Sequence, residues 1–173
     1  DRQLMTPADQ QIAFIGAGNV ATHMAKALRN AGMKIKAVYS HTLASAQTLA
    51  AEVEADAIDD IADLPEANIF VYCVKDDVLP EIAAINSLRF PNALHIHTSG
   101  STPANVFLNQ WHGVIYPMQT FSKNAALNFS EVRCYIEGSN RQSLKMIDNL
   151  TRSLTSHVSE LDTEARLCLH AAA

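Results

Sequence analysis

The sequence predicts an α/β fold: a doubly wound, mostly parallel sheet with helices on both faces. Three observations predict it. Short apolar runs alternate with segments striped at helical spacing, which is the pattern of repeated βαβ units. Two of the runs, 12–15 and 69–74, are apolar throughout rather than alternating, as strands covered on both faces require. The first run, Ile12-Ala13-Phe14-Ile15, passes directly into Gly16-Ala17-Gly18-Asn19-Val20-Ala21 and then into a helical stripe.

The elements follow in order. Residues 12–15 form a strand and residues 20–31 a helix, with Val20, Met24, Ala27, Leu28 and Ala31 on one face and Gly32 as the stop. Residues 35–39 form a second strand. Leu43, Ala46, Ala50 and Val53 stripe a second helix that Ser40 or Thr42 can cap. Residues 55–58 form a short third strand and residues 69–74 a central one, rich in β-branched and aromatic side chains. A short helix over 78–85 has Pro80 in its first turn, and Asp76 as a cap candidate. Strands are expected at 94–97, 113–116, 132–136 and 156–161. A short helix is expected to start at Pro103, capped by Ser101 or Thr102. Leu144, Ile147, Leu150 and Leu154 stripe another helix, and Asp162 caps a last one. Residues 11–160 therefore read as one domain. Residues 161–173 read as the start of a second, helical one, with no stop signal before the final Ala173.

Composition narrows the function. The 173 residues are 48% hydrophobic and 18% charged, enough apolar chain for a core without staples. The net charge of −5 offers no basic stripe for a nucleic acid. No apolar run approaches the roughly 20 residues needed to span a bilayer. No charged-then-apolar leader opens the chain. A cytoplasmic protein with neither nucleic-acid nor membrane partner is expected. The three cysteines, Cys73, Cys134 and Cys168, lie far apart in apolar stretches, so buried reduced thiols are expected. His95 and His97 share a strand face, but no third ligand joins them, so no metal site is expected.

Gly16-x-Gly18-x-x-Ala21 carries the chemistry. It follows a strand and opens a helix, the context in which this spacing binds a dinucleotide pyrophosphate. Gly16 permits the tight turn, Gly18 lets the phosphates approach, and Ala21 lets helix and strand pack closely. Asn19 and Val20 present the first N–H groups of the helix to the anion. NAD-binding versions carry an acid about 20 residues on, for the ribose hydroxyls. Here Ser40, His41 and Thr42 stand at that point, and no acid does. Hydroxyls and an imidazole suit the 2′-phosphate of NADP, so NADP is the expected cofactor. Val74 and Lys75 end the central strand and are expected beside the ribose and nicotinamide.

These residues resemble the Rossmann-like N-terminal domain of pyrroline-5-carboxylate reductases and deazaflavin-dependent NADP oxidoreductases. His97-Thr98-Ser99-Gly100-Ser101 and Tyr116-Pro117-Met118-Gln119-Thr120-Phe121-Ser122 are similar to an uncharacterised bacterial family of that superfamily, whose members add a helical C-terminal domain. The resemblance implies NADP binding, a small-molecule substrate, and a homodimer formed through the helical domain. It places residues 166–173 in the first helix of that domain, at the edge of the substrate cleft.

A proton donor must lie beyond the strand ends, near the nicotinamide. His97 can titrate near neutrality, Ser99 can orient a carboxylate or carbonyl, and His170 reaches the cleft from the last helix. His97 reads also as a structural strand histidine, and His170 as an exposed or packed helix histidine. Ser99, Thr120 and Ser122 read equally as turn residues. The expected function is an NADP-dependent oxidoreductase transferring hydride to or from a small carbonyl, imine or hydroxyacid compound. The alternatives are a prephenate-dehydrogenase-like enzyme and a non-catalytic NADP sensor or scaffold.

Overall fold

The computed structural model describes residues 9–119, 121 and 127–173. One eight-stranded sheet organises them, in the order β3-β2-β1-β4-β5-β6-β7-β8. The strands are β1 (Gln11–Ile15), β2 (Lys34–Tyr39), β3 (Asp56–Ile58), β4 (Ile69–Tyr72), β5 (Leu94–His97), β6 (His112–Pro117), β7 (Cys134–Gly138) and β8 (Val158–Glu160). β3 to β6 in that order pair in parallel. β7 runs antiparallel to β6, and β8 is parallel to β7. The strand order reverses between β1 and β4, so the fold's switch point lies at the carboxyl end of β1.

Side chains of the central strands alternate between two cores. Ile12, Phe14, Val71 and Ile96 face one; Ala13, Ile15, Phe70 and Tyr72 face the other. The helices α1 (Asn19–Asn30), α2 (Leu43–Val53) and α4 (Arg141–Arg152) cover the first face. The helix α3 (Leu79–Arg89) covers the second. The last helix, α5 (Thr163–Ala172), reaches β6, β7 and the turn after β5 through Thr163, Arg166 and His170. Burying each large apolar side chain contributes roughly 1.5–3 kcal/mol. Among the described residues no helix is long and apolar enough to cross a membrane.

Several boundaries differ from the sequence expectation, each for a local reason. α3 runs on to Arg89, whose guanidinium bonds the carbonyls of Ile61, Ala62 and Leu64 at 2.7, 2.7 and 3.2 Å. β7 begins at Cys134 rather than 132, because Asn128 caps a 3-10 turn over Phe129–Glu131 through Ser130 N–H. β4 ends at Tyr72, and the chain then turns with Val78 N–H and Leu79 N–H on the Lys75 carbonyl. Pro103 caps a 3-10 turn over Ala104–Val106; neither Ser101 nor Thr102 caps it. Thr42 precedes α2 without giving it a side-chain cap, and Asp76 gives α3 none. Asp162 does cap α5, accepting from Ala165 N–H at 2.8 Å. Cys134 is buried and Cys73 partly so, but Cys168 is exposed on the outer side of α5, against the expectation of three buried thiols.

Candidate functional site: the carboxyl end of the sheet

The glycine turn joins β1 to α1 at the switch point. Gly16 has φ +116°, and a Cβ there would stand 2.5 Å from the Cys73 carbonyl oxygen. Only glycine satisfies both conditions. Its N–H donates to the Tyr39 carbonyl at 2.8 Å, tying the end of β1 to the end of β2. Gly18 differs. A Cβ there would meet nothing within 4 Å. The open volume lies in front of α1, whose N-terminus has no side-chain cap and no acid in its first turn. Unsatisfied N–H groups and the positive end of a twelve-residue helix dipole therefore face free space. Gly18 and Asn19 are exposed and Val20 half-buried, while Ala21 is fully buried against the strand. The Asn19 side chain donates to the Phe121 carbonyl at 3.0 Å, drawing the stretch after β6 towards the turn. This architecture fits a pyrophosphate.

At the end of β2, Ser40 is nearly buried, and its hydroxyl oxygen accepts Thr42 N–H at 3.2 Å. Its own proton remains free to donate. His41 and Thr42 are exposed. No carboxylate occurs between Tyr39 and Ser45. After β4, Val74 packs against the second core and Lys75 is exposed. The Cys73 side chain packs on the first core, where burial pushes its thiol up to about 12, opposed by the Thr98 hydroxyl.

The strand ends of β5 and β6 are occupied by their own side chains. His97 is fully buried, and both ring nitrogens are engaged. Nδ1 accepts Ser99 N–H at 3.1 Å, so the protonated Nε2 donates to the Pro103 carbonyl at 3.1 Å. Burial lowers its pKa to about 4, partly offset by that carbonyl bond, with the Arg166 charge lowering it further. Burial favours the neutral ring, and its two bonds hold the turn. His95, also buried, bonds Tyr72 Oη at 2.7 Å and the Phe90 carbonyl at 2.8 Å. Among the described residues no three His, Cys, Asp or Glu gather as a metal site. The Ser99 hydroxyl is spent within its turn, donating to Thr102 Oγ1 at 2.9 Å and accepting Ser101 N–H at 3.1 Å. Asp76, instead of capping a helix, accepts the Ser101 hydroxyl at 2.6 Å. Thr120 and Ser122 lie outside the described residues.

His170 reaches this cluster from α5. Its Nδ1 lies 2.9 Å from Tyr116 Oη. Gly100 admits the pair: a Cβ there would be 2.4 Å from His170 Nδ1 and 2.7 Å from Tyr116 Cε1. Burial raises the Tyr116 pKa, and Tyr135 adds to the rise. The partnership of Tyr116 with His170 is not evident from the sequence, nor are Arg166, Glu137 and Thr163 behind it. One signal points that way: Thr163, Arg166 and His170 recur at helical spacing on one face. A groove of about 800 Å³ opens at the opposite end of the sheet, near Asn68 and Ala93, away from all these residues.

Comparison with known proteins agrees with this geometry. Residues 11–94 match the sequence profile of the family described as NADP oxidoreductase, coenzyme F420-dependent. A Bacteroides fragilis protein provisionally described as an NADP oxidoreductase superposes with a TM-score of 0.91 at 37% identity, over 96% of this chain and 66% of its own. Protein TM1727 of Thermotoga maritima gives 0.77 at 19% identity, over 93% of this chain and 61% of its own. Prephenate dehydrogenase of A. aeolicus, solved with hydroxyphenyl propionate and NAD+, gives 0.81 at 15% identity, over 95% and 63%. The last two likenesses show the fold alone. The chain thus spans slightly under two thirds of the length of these relatives. No curated protein matches it.

Proposed function

We propose that this chain, a Rossmann-like domain similar to NADP oxidoreductases, is an NADP-dependent oxidoreductase acting on a small carbonyl, imine or hydroxyacid compound. The observation that carries the reading is the unequal pair of glycines. Gly16 is required by its own backbone, whereas Gly18 faces open space at an uncapped helix N-terminus. NADP is favoured over NAD by the missing acid after β2. A carboxylate there would repel the 2′-phosphate; Ser40, Thr42 and His41 can hydrogen-bond it, and Lys75 adds positive charge. Residues 11–160 form the cofactor domain in this reading. α5 opens a helical domain that completes the substrate side and the dimer, in keeping with the greater length of the relatives.

When bound, the dinucleotide supplies or accepts the hydride. The chain must then hold the two ends of the cofactor and handle one proton. The Asn19 and Val20 N–H groups would hold phosphate oxygens, and Val74 would stand beside the nicotinamide end. The proton passes through Tyr116 and His170, whose hydroxyl and Nδ1 are 2.9 Å apart. His97 and Ser99 support this pair by fixing the turn that carries Gly100.

Titration of NADPH fluorescence tests the binding claim, and Gly18→Val should abolish the signal without unfolding the chain. NADPH oxidation against a panel of imines, keto acids and cyclohexadienyl acids tests the chemistry. Tight binding with no turnover across that panel would favour a sensor or scaffold instead.

A further inference from the structure

α5 presents Thr163, Arg166 and His170 at intervals of three and four residues, so all three share one face. The first two are fastened to the sheet. Arg166 is 1% exposed, and its Nη1 lies 2.5 Å from Glu137 Oε2 on β7. Its Nη2 donates to the Thr102 carbonyl. The Thr163 hydroxyl lies 2.8 and 2.9 Å from the two Glu137 carboxylate oxygens. Its oxygen accepts Ala104 N–H at 3.3 Å. Three separate elements therefore meet at one buried guanidinium: β7, the turn after β5, and α5.

A buried ion pair is weak evidence for stability, since desolvation offsets most of its attraction. A planar guanidinium does fix direction, because its forked donors demand their acceptors in one geometry. Among the described residues the Arg166 Nε has no partner. What it sets is the placement of α5 against the Ser99-Gly100-Ser101 turn. One helical turn beyond Arg166, that placement decides whether His170 meets Tyr116. The tolerance is small: His170 and Tyr116 fill the volume a Gly100 Cβ would need.

We propose that Arg166, acting with Glu137 and Thr163, is a positioning residue that sets the distance and orientation of the His170–Tyr116 pair. Its consequence for turnover rests on the proton role proposed above for that pair; its consequence for geometry does not. A clamp of this kind makes the last helix part of the proton-handling apparatus rather than a passive continuation of the chain.

The test has two independent readouts: ring geometry in the chain as it stands, and NADPH oxidation against imines and keto acids in a protein that also carries the helical domain. Nuclear Overhauser effects between the His170 and Tyr116 rings report the geometry. Steady-state kinetics, with NADPH affinity measured separately, report the chemistry. Arg166→Met should erase the inter-ring signals and lower kcat by on the order of 10²-fold, the usual cost of misplacement by about an ångström. NADPH affinity should be unchanged, because the glycine turn is untouched. Arg166→Lys, which keeps the charge but loses the fork, should recover only part of kcat. Should Arg166→Met not fold, the double change Glu137→Met with Arg166→Met removes both charges together, and Thr163→Val loosens the clamp while leaving the ion pair. Folded variants that keep the inter-ring signals would overturn the proposal. Disappearance of those signals with kcat unchanged would support the positioning role and overturn the proton role of the pair.

Discussion

The two glycine-bearing turns at the carboxyl end of the sheet solve opposite problems. In the nucleotide half, from β1 to α2, a Cβ on Gly18 would meet nothing within 4 Å. There the N-terminus of α1 is uncapped, and Ser40 keeps a free proton. In the second half, from β5 to α5, a Cβ on Gly100 would strike His170 and Tyr116. There His97 bonds Ser99 N–H and the Pro103 carbonyl, the Ser99 hydroxyl bonds Thr102, and Arg166 bonds Glu137 and the Thr102 carbonyl. One half keeps room and hydrogen-bonding capacity for a ligand. The other uses both to hold its own side chains in place. At Gly18 the missing side chain leaves open space; at Gly100 it permits a close approach within the fold.

Substitutions can break this contrast, and the largest effect is expected at Gly16. Gly16→Val forces a β-branched residue to φ +116° and drives its Cβ into the Cys73 carbonyl. A loss of about 5 kcal/mol, or failure to fold, is expected in urea denaturation. Next, Glu137→Ala leaves Arg166 buried without a counter-ion and should cost about 3–5 kcal/mol by the same assay. A loss below about 1 kcal/mol would mean that water reaches the guanidinium.

The buried histidines of the second half give a pH signature. His95 and His97 have folded pKa values lowered to about 4 by burial. Well above the ordinary histidine pKa of about 6.5, both rings are neutral in either state. As pH falls from about 6.5 towards 4, the unfolded rings take protons that the folded ones refuse, so stability falls. Each ring contributes roughly 3 kcal/mol to that loss by about pH 4. Denaturation midpoints should decline between about pH 6.5 and 5, before most carboxylates titrate, and a flat profile there would contradict the burial of these rings. The smallest effect on stability is expected from Gly18→Val, about 0.5 kcal/mol.

The legible parts of the molecule were the local ones. The glycine motif spans six consecutive residues, and its strand-turn-helix context could be read from flanking periodicity. The Asp162 cap needed only a neighbour three residues away. The parallel sheet followed from uninterrupted apolar runs. The second half resisted because its bonds join distant residues. Arg166 meets Glu137 across 29 positions and Thr102 across 64, and Tyr116 meets His170 across 54. An arginine in a polar-looking helix reads as surface until its partners are placed. His97 was legible only as two alternatives, because the Pro103 carbonyl that engages it belongs to a turn whose shape periodicity does not specify. The late start of β7 has the same origin, in a turn that Asn128 closes.

Calorimetric titration of NADPH and NADH into the unaltered chain and into Gly18→Val tests the central claim most directly. The account predicts that the unaltered chain binds both, NADPH more tightly, and that folded Gly18→Val binds neither. Absence of NADPH binding, or undiminished binding by Gly18→Val, would contradict the assignment of the glycine turn. Tighter NADH binding would contradict the reading of Ser40, His41 and Thr42.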